Sequence, residues 1–79
     1  MHVRVLFFGA TADETGLRSI DFPIECDLSV QAAVEEILKK FPRLRRHRLL
    51  FAVNQNYVSE NQKLQNEDEL AVFAAVSGG

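Results

Sequence analysis

An α+β fold, with one mixed β-sheet packed on a single main helix, is predicted by three features of this 79-residue sequence. Residues near both ends follow a period of two, in which successive side chains fall on opposite faces, and this indicates strands. Between them, residues 28–41 place apolar side chains at helical spacing. The length suits one domain, and hydrophobic residues make up 47% of it. We expect residues 1–75 to form this domain and residues 76–79 to form a flexible tail.

The first predicted strand covers residues 2–8. One of its faces, suited to a core, carries two valines and Phe7, whereas Leu6 and Phe8 lie beside an arginine on the other. Because this second face combines a charge with apolar side chains, we expect it to be partly exposed. It therefore carries apolar groups that a core does not need.

A short helical turn and a second strand follow. Residues 10–15 are expected to form the turn, and Gly16 closes it because glycine adopts the left-handed conformation found at many helix ends. Residues 17–24 alternate again. Pro23 has no amide hydrogen to donate, so it places this second strand at an edge of the sheet.

The main helix is predicted over residues 28–41. Ser29 is a suitable N-cap, and Pro42 ends the helix. Its apolar stripe consists of Val30, Ala33, Val34, Ile37, Leu38 and Phe41. Glutamates four residues before lysines predict ion pairs along the exposed side, namely Glu35 with Lys39 and Glu36 with Lys40.

Basic residues concentrate in residues 39–48, at the end of the helix and after it. They form either a docking patch or a solvated loop whose charges suit the helix C-terminus. The run lacks the interleaved aromatic residues that stack nucleic-acid bases, and the formal net charge of the chain is −2. A nucleic-acid partner is therefore not expected.

A hairpin is predicted after the basic run. Residues 49–54 form the third strand, with Leu50 and Ala52 on one face. The asparagines in residues 54–56 tolerate the left-handed backbone of a tight turn. Residues 57–58 then resume a short strand.

The last predicted strand is residues 70–75. It follows a polar connection, in which Leu64 is the apolar exception, and then a turn at residues 66–69. This order of strands around one helix fits a β-grasp roll, with a mixed sheet of four to five strands. In that arrangement the first and last strands lie side by side and parallel at the centre of the sheet. Phe8 and Phe73 are then expected to be neighbours on the outer face.

Residues that could form an active site are sparse. Cys26 has no second cysteine, and His2 and His47, both expected at the surface, lack the spacing of metal ligands, so no metal site is expected. The remaining chemical group is the α-carboxylate of Gly79, which follows Gly78. Because glycine has no Cβ atom, a partner enzyme can draw this end into a narrow channel. The alternative is a frayed, inert terminus.

The cellular location of the protein is indicated by segments that the sequence lacks. The first residues do not form a signal segment, in which basic residues are followed by an apolar run. No apolar run approaches the length of a membrane span. A lone cysteine also suits a reducing environment. We therefore expect a cytoplasmic protein without a membrane partner.

Several short segments, spread over nearly the whole chain, carry a family resemblance. They are residues 5–8 (VLFF), 13–16 (DETG), 52–55 (AVNQ), 58–59 (VS), 68–69 (DE) and 76–79 (VSGG). Together they resemble the MoaD family, the small subunits of molybdopterin synthase, within the wider group of ThiS and MoaD ubiquitin-like proteins. The Val-Asn-Gln segment combined with a diglycine end is specific, whereas the diglycine alone is shared with ubiquitin. The resemblance implies a β-grasp fold.

The resemblance also implies chemistry at the last residue. A MoeB-like adenylating enzyme uses ATP and magnesium to convert the Gly79 carboxylate to an acyl-adenylate, and a sulfur donor displaces AMP to leave a thiocarboxylate. The chain binds no permanent cofactor. The charged carrier docks on a MoaE-like large subunit, within a heterotetramer, and gives its sulfur to a cyclic pyranopterin precursor of molybdopterin. The chain is then a sulfur-donating subunit and not an enzyme on its own.

A partner-binding surface follows from the same resemblance, and it explains the apolar groups on the outer face. Its residues are Phe8, Tyr57, Phe73, Val76 and Ser77. One departure concerns residues 74–75, where many family members have two prolines and this chain has two alanines. We expect a more mobile tail that loses more entropy on docking.

Other functions stay open on the sequence alone. A sulfur carrier for thiamine synthesis or tRNA thiolation has the same diglycine end. A ubiquitin-like modifier instead joins its terminal glycine to lysines by isopeptide bonds. A plain interaction domain with an inert tail is a further alternative, since scattered exposed apolar residues are normal for any protein.

Overall fold

A computed structural model of the chain describes residues 1–25 and 27–75. The elements in chain order are β1 (His2–Phe7), α1 (Ala10–Thr15), β2 (Ser19–Pro23), α2 (Val30–Lys40), a 3₁₀ helix (Pro42–Arg46), β3 (Leu49–Val53), β4 (Asn56–Tyr57) and β5 (Glu69–Ala74). The strands form one five-stranded sheet in the order β2-β1-β5-β3-β4. Cys26 and residues 76–79 lie outside the described residues.

The two terminal strands lie at the centre of the sheet, as the β-grasp prediction requires. β1 and β5 are parallel, with Val5 opposite Leu70 and Phe7 opposite Val72. β2 and β3 flank them in antiparallel pairings. Pro23 ends β2, which is an edge strand, so the prediction drawn from its missing amide hydrogen is confirmed.

α2 covers one face of this sheet. Val30, Ala33, Val34 and Ile37 are buried in a core with the inward residues of β1 and β5. The Ser29 hydroxyl accepts a hydrogen bond from the Ala32 amide at 3.1 Å, so this serine is the predicted N-cap.

The ion pairs predicted on α2 at a spacing of four residues are wrong. Lys39 Nζ lies 3.4 Å from Glu36 Oε1, three residues away and equally within reach on a helix surface. Arg45 reaches Glu35 at 3.9 Å because the 3₁₀ helix turns the chain back after Pro42. Both pairs are exposed, so neither stabilises the fold by much.

The basic run contains structure that the sequence pattern did not reveal. Residues expected to form a loop make the 3₁₀ helix, and Leu44 within it is wholly buried in the core. The three arginines of this helix stay exposed. A single apolar residue between arginines gives no periodic signal, which is why the element was missed.

Candidate functional site

The outer face of the sheet, turned away from α2, carries small and apolar side chains across four strands. Leu6 on β1 lies opposite Ala71 on β5. Ala71 in turn lies opposite Ala52 on β3, and Ala52 pairs with Tyr57 on β4. Both alanines are buried although they are on the outer face, because the larger side chains around them cover them.

Aromatic and larger apolar side chains lie beside these residues. The Phe8 ring stacks on the Phe73 ring, with centroids 5.1 Å apart and planes at 12°. Tyr57 tilts against Phe73 from the other side at 6.3 Å. Leu50 lies directly opposite Phe73 on β3. Such ring pairs prefer offset stacked and tilted geometries, so both contacts are favourable.

These side chains leave much apolar surface in solvent. Tyr57 is 76% exposed, Phe8 46% and Leu50 42%. Phe8 and Tyr57, with Leu6 and Phe73, line a depression of about 370 Å³ whose lining also includes the two alanines, Gln55 and Glu69. We call this surface the aromatic patch; it consists of Leu6, Phe8, Leu50, Ala52, Tyr57, Ala71 and Phe73. A contiguous apolar area of this kind is typical of a protein interface.

The patch occupies one end of the outer face. At the other end Arg4 on β1 lies in register with Asp21 on β2 and Glu69 on β5, so that end is charged, and Glu69 also borders the depression in the patch. The apolar end is the one at which β5 finishes. There the Ala75 amide donates a hydrogen bond to the Arg48 carbonyl at 2.7 Å, and residues 76–79 follow in sequence. The patch therefore adjoins the start of the predicted tail.

The sequence-predicted site residues divide into two groups. Phe8, Tyr57 and Phe73 come together as one cluster, and the expected proximity of Phe8 and Phe73 is confirmed. The predicted partner-binding residues Val76 and Ser77 and the predicted reactive residues Gly78 and Gly79 lie outside the described residues.

Leu50 and Leu6 were not singled out from the sequence as binding residues. The alternation of each strand already placed them on the same faces as Ala52 and Phe8. What pattern alone lacked was the register, which sets Leu50 opposite Phe73.

Three other kinds of feature bear on function: the histidine at position 47, metal-binding groups and membrane-spanning helices. His47, expected at the surface, is only partly exposed, and its Nε2 lies 3.4 Å from Glu14 Oε1, which links α1 to the residue after the 3₁₀ helix. Within residues 1–25 and 27–75, no group of His, Cys, Asp and Glu side chains is arranged to hold a metal ion. In the same part of the chain, no helix has the length and apolar character needed to cross a membrane.

Comparison with known sequences gives matches over nearly the full length. Residues 5–79 match the model of the ThiS family. The molybdopterin synthase sulfur carrier subunit of Homo sapiens is 35% identical over 82 residues, which cover 98% of this chain and 93% of the human protein.

Solved structures share the fold. Small archaeal modifier protein 1 of Haloferax volcanii superposes with a TM-score of 0.85 at 21% identity, covering 95% of this chain and 98% of that one. A chain from the complex of subunits 1 and 2 of the molybdopterin-converting factor of Helicobacter pylori gives a TM-score of 0.68 at 22% identity, with both chains fully covered. At these identities the likeness establishes the β-grasp fold and nothing further.

Proposed function

Because this chain belongs to the ThiS family, we propose that it is the sulfur-carrying small subunit of a molybdopterin synthase and that Gly79 bears the sulfur. The observation that carries the proposal is the position of the aromatic patch. β5 contributes Phe73 to it and then leads, through Ala75, into the segment that ends in Gly78 and Gly79. A docked partner therefore receives the end of the chain beside its own binding surface. The human relative named a sulfur carrier subunit supports the same role.

The proposed chemistry starts by activating Gly79. A carboxylate is a poor acyl donor, so a MoeB-like adenylating enzyme joins it to the α-phosphate of ATP, with magnesium, and releases pyrophosphate. A sulfide equivalent from a sulfur donor then attacks the acyl carbon and displaces AMP, which leaves a thiocarboxylate. The two glycines give the clearance that this end needs inside a narrow channel.

Transfer of the sulfur requires docking on a large subunit. We propose that the aromatic patch, together with Val76 and Ser77, contacts a MoaE-like subunit and that two small subunits flank a dimer of it. The Helicobacter pylori neighbour is described as a complex of two such subunits, which supports a partner of this kind. Aromatic side chains are frequent anchors of interfaces because they bury large areas at low entropic cost. The sulfur then passes to a cyclic pyranopterin.

The two alanines before the tail bear on this docking. The Ala75 amide donates to the Arg48 carbonyl, a hydrogen bond that a proline at this position does not make. In this chain a hydrogen bond thus holds residue 75, where many family members use the stiffness of proline.

Mass spectrometry tests the proposed chemistry. The full chain is incubated with the adenylating enzyme of its source organism, ATP, magnesium and a sulfide donor. We expect a species in which one terminal oxygen is replaced by sulfur. A chain that lacks Gly79 is the matched control. It is expected to fold like the parent, because β5 ends at Ala74. It is not expected to form the thiocarboxylate at the parent's rate.

The outcomes separate the alternatives. The proposal would be contradicted if this chain acquires no sulfur in the presence of an adenylating enzyme that activates its own known carrier. Gly79 joined to lysine side chains would favour a modifier. A thiocarboxylate that the large subunit of molybdopterin synthase does not consume would favour thiamine synthesis or tRNA thiolation.

A further inference from the structure

Thr11 is the one polar residue that is buried within residues 1–25 and 27–75. It lies in the first turn of α1, three residues after Phe8, and has no exposed surface. Burying a hydroxyl is costly unless it is hydrogen-bonded. Its partners therefore indicate what the residue does.

The Thr11 hydroxyl connects Phe8, the residue after β1, with β5, which carries Phe73. Its oxygen accepts a hydrogen bond from the Phe8 amide at 2.9 Å. Its single proton is within reach of the Val72 carbonyl at 2.8 Å and of the Phe8 carbonyl at 2.9 Å. Donation to Val72 links the end of β1 to β5 through one side-chain oxygen.

This link lies where the pairing of β1 and β5 stops. The parallel register runs as far as Phe7 opposite Val72. The next residue on each side is Phe8 or Phe73, and their rings stack across the gap. The Thr11 hydroxyl thus bonds the first residue after β1, Phe8, to the last residue of β5 that pairs with β1, Val72, and each of these two residues bears or directly precedes a stacked ring.

We propose that Thr11 is a positioning residue for the aromatic patch: its hydroxyl holds Phe8 and Phe73 at the spacing that the partner subunit contacts. This inference rests on the proposed function, because it assigns Thr11 a role in docking. Thr11 has no exposed surface, so it does not itself contact the partner. It acts through the backbone of the residues that bear or precede the rings, so the patch is preorganised and loses less entropy when it binds.

The chain offers a closely matched set of variants. Thr11→Val keeps the shape of the side chain but leaves the Phe8 amide and the Val72 carbonyl without this partner. Thr11→Ser keeps the hydroxyl. Thr15→Val removes the same group from the same helix, where the hydroxyl bonds within α1 and to Leu17 rather than to β5. Leu44→Ala, in the 3₁₀ helix, supplies a loss of stability that involves neither ring.

Two measurements apply to each variant. In the free full-length chain, nuclear Overhauser effects between the Phe8 and Phe73 ring protons report on the stack. Calorimetric titration with the purified large subunit of molybdopterin synthase from the source organism reports on docking. We expect Thr11→Val to weaken the ring contacts and to lower affinity about tenfold, because side chains of the patch that are no longer preorganised must be ordered on binding. Thr11→Ser, Thr15→Val and Leu44→Ala are expected to bind like the parent chain.

The results distinguish failure of this inference from failure of the proposed function. A parent chain that does not bind the large subunit overturns both. A parent chain that binds, with Thr11→Val binding equally well, overturns the role of Thr11 alone. A loss of affinity in Leu44→Ala as large as in Thr11→Val shows an effect of stability rather than positioning, which also overturns it. If Thr11→Val does not fold, a failure of Thr11→Ser to preserve the ring contacts and the affinity contradicts the inference.

Discussion

Two glycines at the ends of α1 have different backbone requirements. Gly9, which follows Phe8, has φ 55° and ψ −122°, close to the first central position of a type II′ turn. The Thr11 amide donates to the Phe8 carbonyl across this turn at 3.2 Å. Gly16 has φ 72° and ψ 12°, in the left-handed helical region. The second conformation is open to asparagine as well, whereas the first is favourable for glycine alone.

Replacement of these glycines should therefore have unequal effects. Gly9→Ala is expected to lower the free energy of unfolding by roughly 1–3 kcal/mol through backbone strain. Beyond the neighbouring residues in the chain, a Cβ atom there meets no heavy atom within 4 Å, so contact with the rest of the molecule adds nothing. Gly16→Ala should cost less, and Gly16→Asn less again. Denaturation with urea measures all three; a Gly9→Ala chain as stable as the parent would show that this turn imposes no such demand.

At the scale of elements, the 3₁₀ helix joins α2 to β3 and fills the core between them. Its first residue, Pro42, ends α2 and has no amide hydrogen to satisfy, so it suits this position. Leu44 then points into the core, while the neighbouring arginines remain in solvent. The segment is therefore anchored by one side chain.

Leu44→Ala tests that anchor. Removal of a wholly buried leucine is expected to lower the free energy of unfolding by about 2–5 kcal/mol. Arg43→Ala, at the exposed adjacent position, should change it by no more than about 0.5 kcal/mol. Thermal and urea denaturation give both values. Equal effects of the two substitutions would contradict the packing described for this helix.

At the scale of the whole molecule, one face of the sheet contributes to the stability of the fold and the other face is available for recognition. Its inner face packs with α2 into the core, and its outer face presents the aromatic patch at one end and charged residues at the other. Substitution on the outer face can therefore change binding with little change in the core.

Phe73→Asp tests recognition through the patch. We expect affinity for the large subunit to fall by roughly 30-fold or more, because a central interface aromatic contributes about 2 kcal/mol or more. Phe73→Leu, which stays apolar, should lose less. Gln31→Asp adds the same charge at an exposed position on α2 and should bind normally. Tyr57→Asp, at the most exposed of the three aromatic positions, provides a variant with the least effect on folding.

Calorimetry gives the affinities, and circular dichroism shows that each variant is folded. Normal binding by Phe73→Asp and Tyr57→Asp together would exclude the patch as the docking surface. Weaker binding by Gln31→Asp would show that added charge, rather than the position of the substitution, is responsible.

Local patterns in the sequence sufficed to predict most elements of this fold. A period of two marked the strands, and helical spacing marked α2. Ser29 marked the start of α2, Gly16 the end of α1 and Pro23 the end of β2, because each has a distinct backbone preference. The parallel pairing of β1 with β5 followed from the order of elements, since a long crossover allows few other arrangements. The diglycine end, on which the proposed chemistry depends, is itself a property of the sequence.

Only the tertiary structure decided what depends on contacts between distant residues. The register brought Leu50 beside Phe73, packing buried Leu44, and the end of β1 set the Thr11 hydroxyl against the Val72 carbonyl. A lone threonine or leucine has no periodicity, so its role follows from its partners in space. Local preference acts over a few residues along the chain, whereas the aromatic patch and its support are made by strands that the chain brings together from its two ends.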